Sequence, residues 1–181
     1  MSQKFNLVGI VGLPRSGKDT LAELFMEEGY FGLSFGDIVR SFSRERHKDK
    51  SDPISVANMT DTSNWLRETQ GPDVILKEAL RQYEAEIKKG EAYKGLVLWS
   101  IRAPIEVDFI LAHGGELIWV EADDVVRHER GLKSLRPGEA VVTLEEFKRQ
   151  DHATRIFLNN ENNLDQFLQK AKELMASVSV A

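Results

Sequence analysis

VGIVGLPRSGKDTLAELF, Val8 to Phe25, joins an apolar run to an amphipathic one through two glycines, an arginine and a lysine. Phe5 to Gly12 is short, apolar and closed by glycine, as a strand buried on both faces would be. Leu21, Leu24 and Phe25 recur at three- and four-residue spacing, which marks an amphipathic helix beginning near Gly17. Between them, Gly12-Leu13-Pro14-Arg15-Ser16-Gly17-Lys18 is a phosphate-binding loop pattern. The two glycines permit a partly left-handed path that turns successive N–H groups onto an anion, and the following helix adds its positive end. Lys18 is expected to reach the outer phosphates as a mobile point charge. The next residue is Asp19, where the pattern places a serine or threonine hydroxyl on magnesium. A carboxylate is itself a good magnesium ligand, and Thr20 offers a hydroxyl one position later. The loop is therefore expected to hold ATP, with Asp19 and Thr20 as candidate metal residues.

The pattern continues outward. Phe31–Phe35, Leu96–Ile101 and the ELIWVEA segment read as further strands. Helices are expected over Gly36–Arg46, Asp61–Thr69, Pro72–Lys89, Pro104–His113 and Asp123–Lys133. RERHKDKSDP reads as a solvated loop or frayed helix end, and Thr143 with Glu146 forms a capping-box pattern. RIFLNN and Leu164–Met175 read as a fifth strand and a closing helix. Alternation of strands and helices predicts an α/β domain, a parallel sheet of about five strands between helix layers.

Composition narrows the class. In 181 residues with 41% hydrophobic and 29% charged, one sizeable core is expected and two independent domains are not. A net charge of −5 gives no basic surface for wholesale nucleic-acid binding. There is no cysteine, which excludes disulfides and thiolate metal sites. The four histidines lack ligand spacing. No apolar run approaches the ~20 residues of a membrane helix, and MSQKFN shows no signal peptide, so a cytoplasmic location is expected. Oligomeric state is not legible.

GLPRSGKDT resembles the phosphate loops of P-loop small-molecule kinases, the nucleoside monophosphate kinase and dephospho-coenzyme A kinase group. SFGDIVR, Ser34–Arg40, is similar to an adenylate kinase segment whose arginine binds the acceptor phosphate. LRETQGPDVILK, IRAPIEV and TLEEFKRQD resemble segments of one adenylate kinase-like subgroup, and the likeness runs from about Asn6 to Gln166. The resemblance implies a single P-loop NTPase domain over 1–181, with an acceptor-binding insertion about 36–90 and a small lid about 127–150. It implies transfer of the γ-phosphoryl of ATP, with Mg2+, to a nucleoside or deoxynucleoside monophosphate. Hydroxyl phosphorylation, as by dephospho-coenzyme A kinase, and a nucleotide-binding regulator with little turnover are the alternatives.

Residue by residue, the resemblance places Arg40 and Arg102, with Asp37, at the acceptor. It places Arg130 and Arg136 with Lys18 at the transferring phosphoryl group, where arginine forks neutralise charge. Asp37 also reads as a helix cap and Arg67 as a surface salt bridge. Arg127 reads as polar helix face or lid, and Arg149 and Arg155 are weaker candidates. One departure stands out. The relatives carry an aspartate at the end of the third strand, and here LVLWSIR puts Trp99 and Ser100 at the aspartate and glycine positions. Tryptophan takes no proton and binds no magnesium, so it either stacks on a base or fills the core. Transfer to an already ionised phosphate needs no general base, and that favours a monophosphate acceptor.

Overall fold

The computed structural model describes residues 6–135 and 141–148. Four strands, β1 (Asn6–Val11), β2 (Phe31–Ser34), β3 (Gly95–Trp99) and β4 (Glu116–Trp119), form one parallel sheet in the order β2-β3-β1-β4. Val8 pairs with Val97 on one side and with Glu116 on the other, so β1 is fully flanked. The central strands β1 and β3 are buried almost throughout, as near-continuous apolar runs require. The helices are α1 (Lys18–Glu27), α2 (Phe35–Arg46), α3 (Val56–Gln70), α4 (Val74–Lys88), α5 (Pro104–Ala112) and α6 (Asp124–Lys133). The expected fifth strand and closing helix lie outside the described residues, and the described sheet has four strands.

Strand parity sorts the core into two layers. Leu7 and Val11 with Leu96 and Leu98 face a cluster built with Phe35, Ile38, Leu66, Ile75 and Ile110 of α2 to α5. Val8, Ile10, Val97 and Trp99 point the other way and pack on Ala22 of α1. Each fully buried aliphatic side chain in these layers contributes about 1.5–3 kcal/mol. The chain leaves β1 for β2 on one side and later reaches β4 on the other. The crevice at the carboxyl ends of β1 and β3 is thus the switch point where such sheets hold ligands.

Most element limits agree with the sequence reading within a few residues. The exception is α3, which begins five residues before the expected Asp61 because Ser55 caps it, its Oγ accepting from Asn58 N at 3.3 Å. The charged segment after α2 is pinned rather than frayed. Ser43 Oγ donates to Pro53 O at 2.7 Å, and Asn58 Nδ2 donates to Asp52 O at 2.7 Å. Among the described residues no helix is long and apolar enough to cross a membrane.

Candidate functional site

The loop from Gly12 to Lys18 leaves the end of β1 and enters α1. Gly12 and Gly17 take φ of 145° and 109°, a region closed to most side chains. A Cβ at Gly12 would lie 2.2 Å from the carbonyl oxygen of Val120, the residue after β4, so the backbone there also fixes this position as glycine. Ser16 N donates to Leu13 O at 3.3 Å, folding the loop onto itself. Lys18 is only 9% exposed, and its Nζ donates to Leu13 O at 2.6 Å, so the ammonium is tucked against the loop. Ser16 Oγ is buried with no hydrogen-bond partner among the described residues. A buried hydroxyl in that state costs about 1–3 kcal/mol, and an oxyanion in the loop would relieve it.

Arginines lock the loop to α6. Arg15, a non-glycine residue at φ 63°, sends Nη1 to Ser134 O at 3.1 Å and Ser134 Oγ at 3.2 Å. That places its charge at the negative end of α6, which helps offset the backbone strain. In return Arg130 Nη1 donates to Arg15 O at 3.0 Å, and Arg127 Nη1 donates to Pro14 O at 3.3 Å. A Cβ at Gly17 would lie 3.9 Å from Arg130 Nη1, so this arginine stands at the loop's mouth. Arg127 is not a polar face residue. Its side chain is fully buried, pairs with Asp124, donates to Ala122 O at 3.1 Å and sits 5.2 Å from the Phe147 ring. Arg136, Arg149 and Arg155 lie outside the described residues.

The acceptor candidates follow the carboxyl ends of β2 and β3. Ser34, not Asp37, caps α2, its Oγ accepting from Asp37 N at 3.3 Å. The Asp37 carboxylate instead pairs with Arg40 one turn on. Past β3, Ser100 takes φ 61° and breaks the strand, and Arg102 follows on an exposed turn. That turn is held by Glu106, a residue the sequence reading passed over. Glu106 is 1% exposed, and its Oε2 accepts from Arg102 N and Ala103 N, both at 2.9 Å. Its Oε1 accepts from Arg67 Nη2 at 3.2 Å. Arg67 does form an ion pair, but with this buried carboxylate rather than at the surface. The signal available was Pro104 at a helix start with an acid two residues later.

Trp99 settles into the core at 8% exposure, and its indole Nε1 donates to Asp19 Oδ1 at 2.9 Å. The two departures from the expected motif therefore touch each other. Asp19 and Thr20 are both exposed in the first turn of α1. Among the described residues no cluster of three or more acidic or histidine side chains could cage a metal. An exposed carboxylate with a neighbouring hydroxyl fits magnesium that arrives on phosphate oxygens, since that ion commonly takes only one or two protein ligands.

A parallel sheet with a glycine loop between its central strand and the first helix, and helices on both faces, is a known arrangement. The fold is the α/β fold of P-loop nucleotide-binding proteins. A protein of Chloroflexus aurantiacus presented as a candidate kinase superposes with a TM-score of 0.50 at 16% identity, over 81% of this chain and 76% of that one. A chain of the Pnkp1/Rnl/Hen1 RNA repair complex also gives 0.50, at 12% identity, over 89% of this chain and 47% of that one. At such identities the likeness extends to the fold alone. In sequence, a UPF0200/UPF0201 protein of Archaeoglobus fulgidus is 26% identical over 99% of this chain and 58% of its own length. A UPF0200 protein of Methanococcus vannielii is 26% identical over 95% of this chain and 96% of its own. The chain thus spans less than two thirds of the first of these relatives. No family model matches it.

Proposed function

We propose that the protein is an ATP-dependent phosphotransferase that moves the γ-phosphoryl group to a small phosphorylated acceptor, a nucleoside or deoxynucleoside monophosphate. The observation that carries this reading is the Gly12–Lys18 loop, whose positive-φ glycines, tucked ammonium and unsatisfied Ser16 hydroxyl form a cradle for phosphate oxygens. Loop N–H groups and Lys18 would bind the β- and γ-phosphates. Arg130, with Arg136, would neutralise charge at the transferring group. Arg40, paired with Asp37, and Arg102 would orient the acceptor phosphate. An ionised acceptor oxygen attacks the γ-phosphorus, the bond to the bridging oxygen breaks, and ADP leaves. Asp19 and Thr20 would hold magnesium, which supplies charge neutralisation at the phosphates when bound. The end of β3 presents Trp99 and Ser100, neither a base, which supports an acceptor that is already ionised.

A panel of ribo- and deoxynucleoside monophosphates, with dephospho-coenzyme A beside them, tests this by ADP release from ATP and magnesium. Turnover with at least one monophosphate and none with dephospho-coenzyme A is expected. Turnover confined to dephospho-coenzyme A would replace the acceptor class. ATP binding without ADP release on any acceptor would make the protein a nucleotide-binding regulator.

A further inference from the structure

We infer that Trp99 is a positioning residue whose indole N–H fixes the Asp19 carboxylate for the divalent cation that accompanies the nucleotide. The inference rests on the phosphate-loop reading above and deepens it.

Strand parity directs the Trp99 side chain onto the face that α1 covers, where Val8, Ile10, Val97 and Ala22 hold the ring at 8% exposure. A ring so enclosed has little room to turn, and its one polar atom is aimed at the helix start. The bond from Nε1 to Asp19 Oδ1, 2.9 Å, therefore fixes a carboxylate that would otherwise rotate freely on an exposed helix turn. Oδ2 is left as the oxygen for another partner. Asp19 immediately follows Lys18, the residue that faces the outer phosphates, so a triphosphate brings several negative charges beside it. Without a cation between them, Asp19 weakens nucleotide binding. With one, the same carboxylate becomes a ligand whose direction is already set. The bland account is that Trp99 merely finds an acceptor for its buried N–H and that Asp19 favours the helix dipole. That account leaves the magnesium dependence of nucleotide binding unchanged when either residue is altered.

The experiment measures ADP affinity calorimetrically in the full chain, with and without magnesium chloride, for the parent, Asp19→Asn and Trp99→Phe. Both variants are expected to bind metal-free ADP at least as tightly as the parent, Asp19→Asn more so. Both should raise the magnesium concentration at half-maximal enhancement, by about tenfold for Trp99→Phe. A second readout keeps the native pair. With Trp65→Phe and Trp119→Phe, Trp99 becomes the sole tryptophan, and its emission at saturating ADP should change on adding magnesium. Asp19→Asn in that background should abolish the change. An unmoved magnesium curve in Trp99→Phe with a shifted one in Asp19→Asn would overturn the positioning role and leave Trp99 as core. So would Trp99 emission indifferent to magnesium. Curves unmoved in both variants would remove Asp19 from the metal shell as well, and a parent that binds no ADP would bring down the phosphate-loop reading itself.

Discussion

A carboxylate removed from water needs donors for both oxygens, and Glu106 finds three: two backbone N–H groups of the turn after β3 and the guanidinium of Arg67. Its role is to hold the turn on which Arg102 stands. In Glu106→Gln the amide oxygen can keep the backbone donors, while Arg67 loses its counter-charge. Breaking a buried pair costs about 3–5 kcal/mol, and because the Arg67 side chain is 25% exposed a loss near 2 kcal/mol is expected. It should appear as a lower denaturant midpoint at unchanged slope. Adding Arg67→Met should recover part of it, because the orphaned charge is then gone. Lys18 belongs to the same scale. Lys18→Ala should weaken ATP binding at least tenfold, about 1.4 kcal/mol, and equal calorimetric affinities with unchanged turnover would refute the loop assignment. Lys18 was legible as a candidate because a lysine that follows glycine at a helix start has few other uses. Glu106 was not, since burial of an acid depends on a partner 39 residues away in the chain.

Elements carry the next level. Helix α6 is capped by Asp123, whose Oδ1 accepts from Val125 N at 2.8 Å, and its limits were readable from that cap and the arginine spacing. What spacing could not tell is that Arg127 turns inward. On a helix, residues three apart share a face, so spacing alone does not tell Arg127 from Arg130. In the fold Arg127 is enclosed between Asp124, the Pro14 carbonyl and the Phe147 ring, while Arg130 stays exposed at the loop mouth. The two should therefore separate on mutation. Arg127→Ala should destabilise the protein by about 3 kcal/mol, since it removes a buried guanidinium that pairs with Asp124 and donates to the Pro14 and Ala122 carbonyls. Arg130→Ala should cost no more than about 1 kcal/mol, the worth of its exposed hydrogen bond to the Arg15 carbonyl, and should slow turnover instead. Thermal melts beside steady-state rates would distinguish them; equal melting losses for both would contradict the inward and outward assignment. The start of α3 teaches the same lesson, because Ser55 was readable as a cap only once the helix beyond it was known to need one.

At the scale of the whole molecule, the switch in strand order divides the crevice into two walls. The loop after β1, with α1 and α6, forms one. The ends of β2 and β3, after which Asp37, Arg40 and Arg102 follow in the chain, form the other. Alternating strands and helices made this α/β plan legible, but sequence order alone does not reveal that β3 lies between β2 and β1. That placement brings Trp99 against Asp19 and sets the turn of Arg102 after a central strand rather than at a sheet edge. If the walls serve different phosphates, their arginines should act on different ligands. Arg40→Ala and Arg102→Ala should each raise the acceptor KM by about tenfold or more, the loss of a charged hydrogen bond worth about 1.5–3 kcal/mol, with ATP affinity nearly unchanged. Arg40 lies beside Asp37, so its removal also frees a carboxylate to repel the acceptor phosphate. Arg40→Ala should therefore cost more than Arg102→Ala, and the double change Asp37→Asn with Arg40→Ala should recover part of the difference. Calorimetry with ATP and steady-state kinetics varying the acceptor read the two effects separately. Loss of ATP binding with the acceptor KM intact, in either single variant, would mean that the arginine belongs to the donor wall.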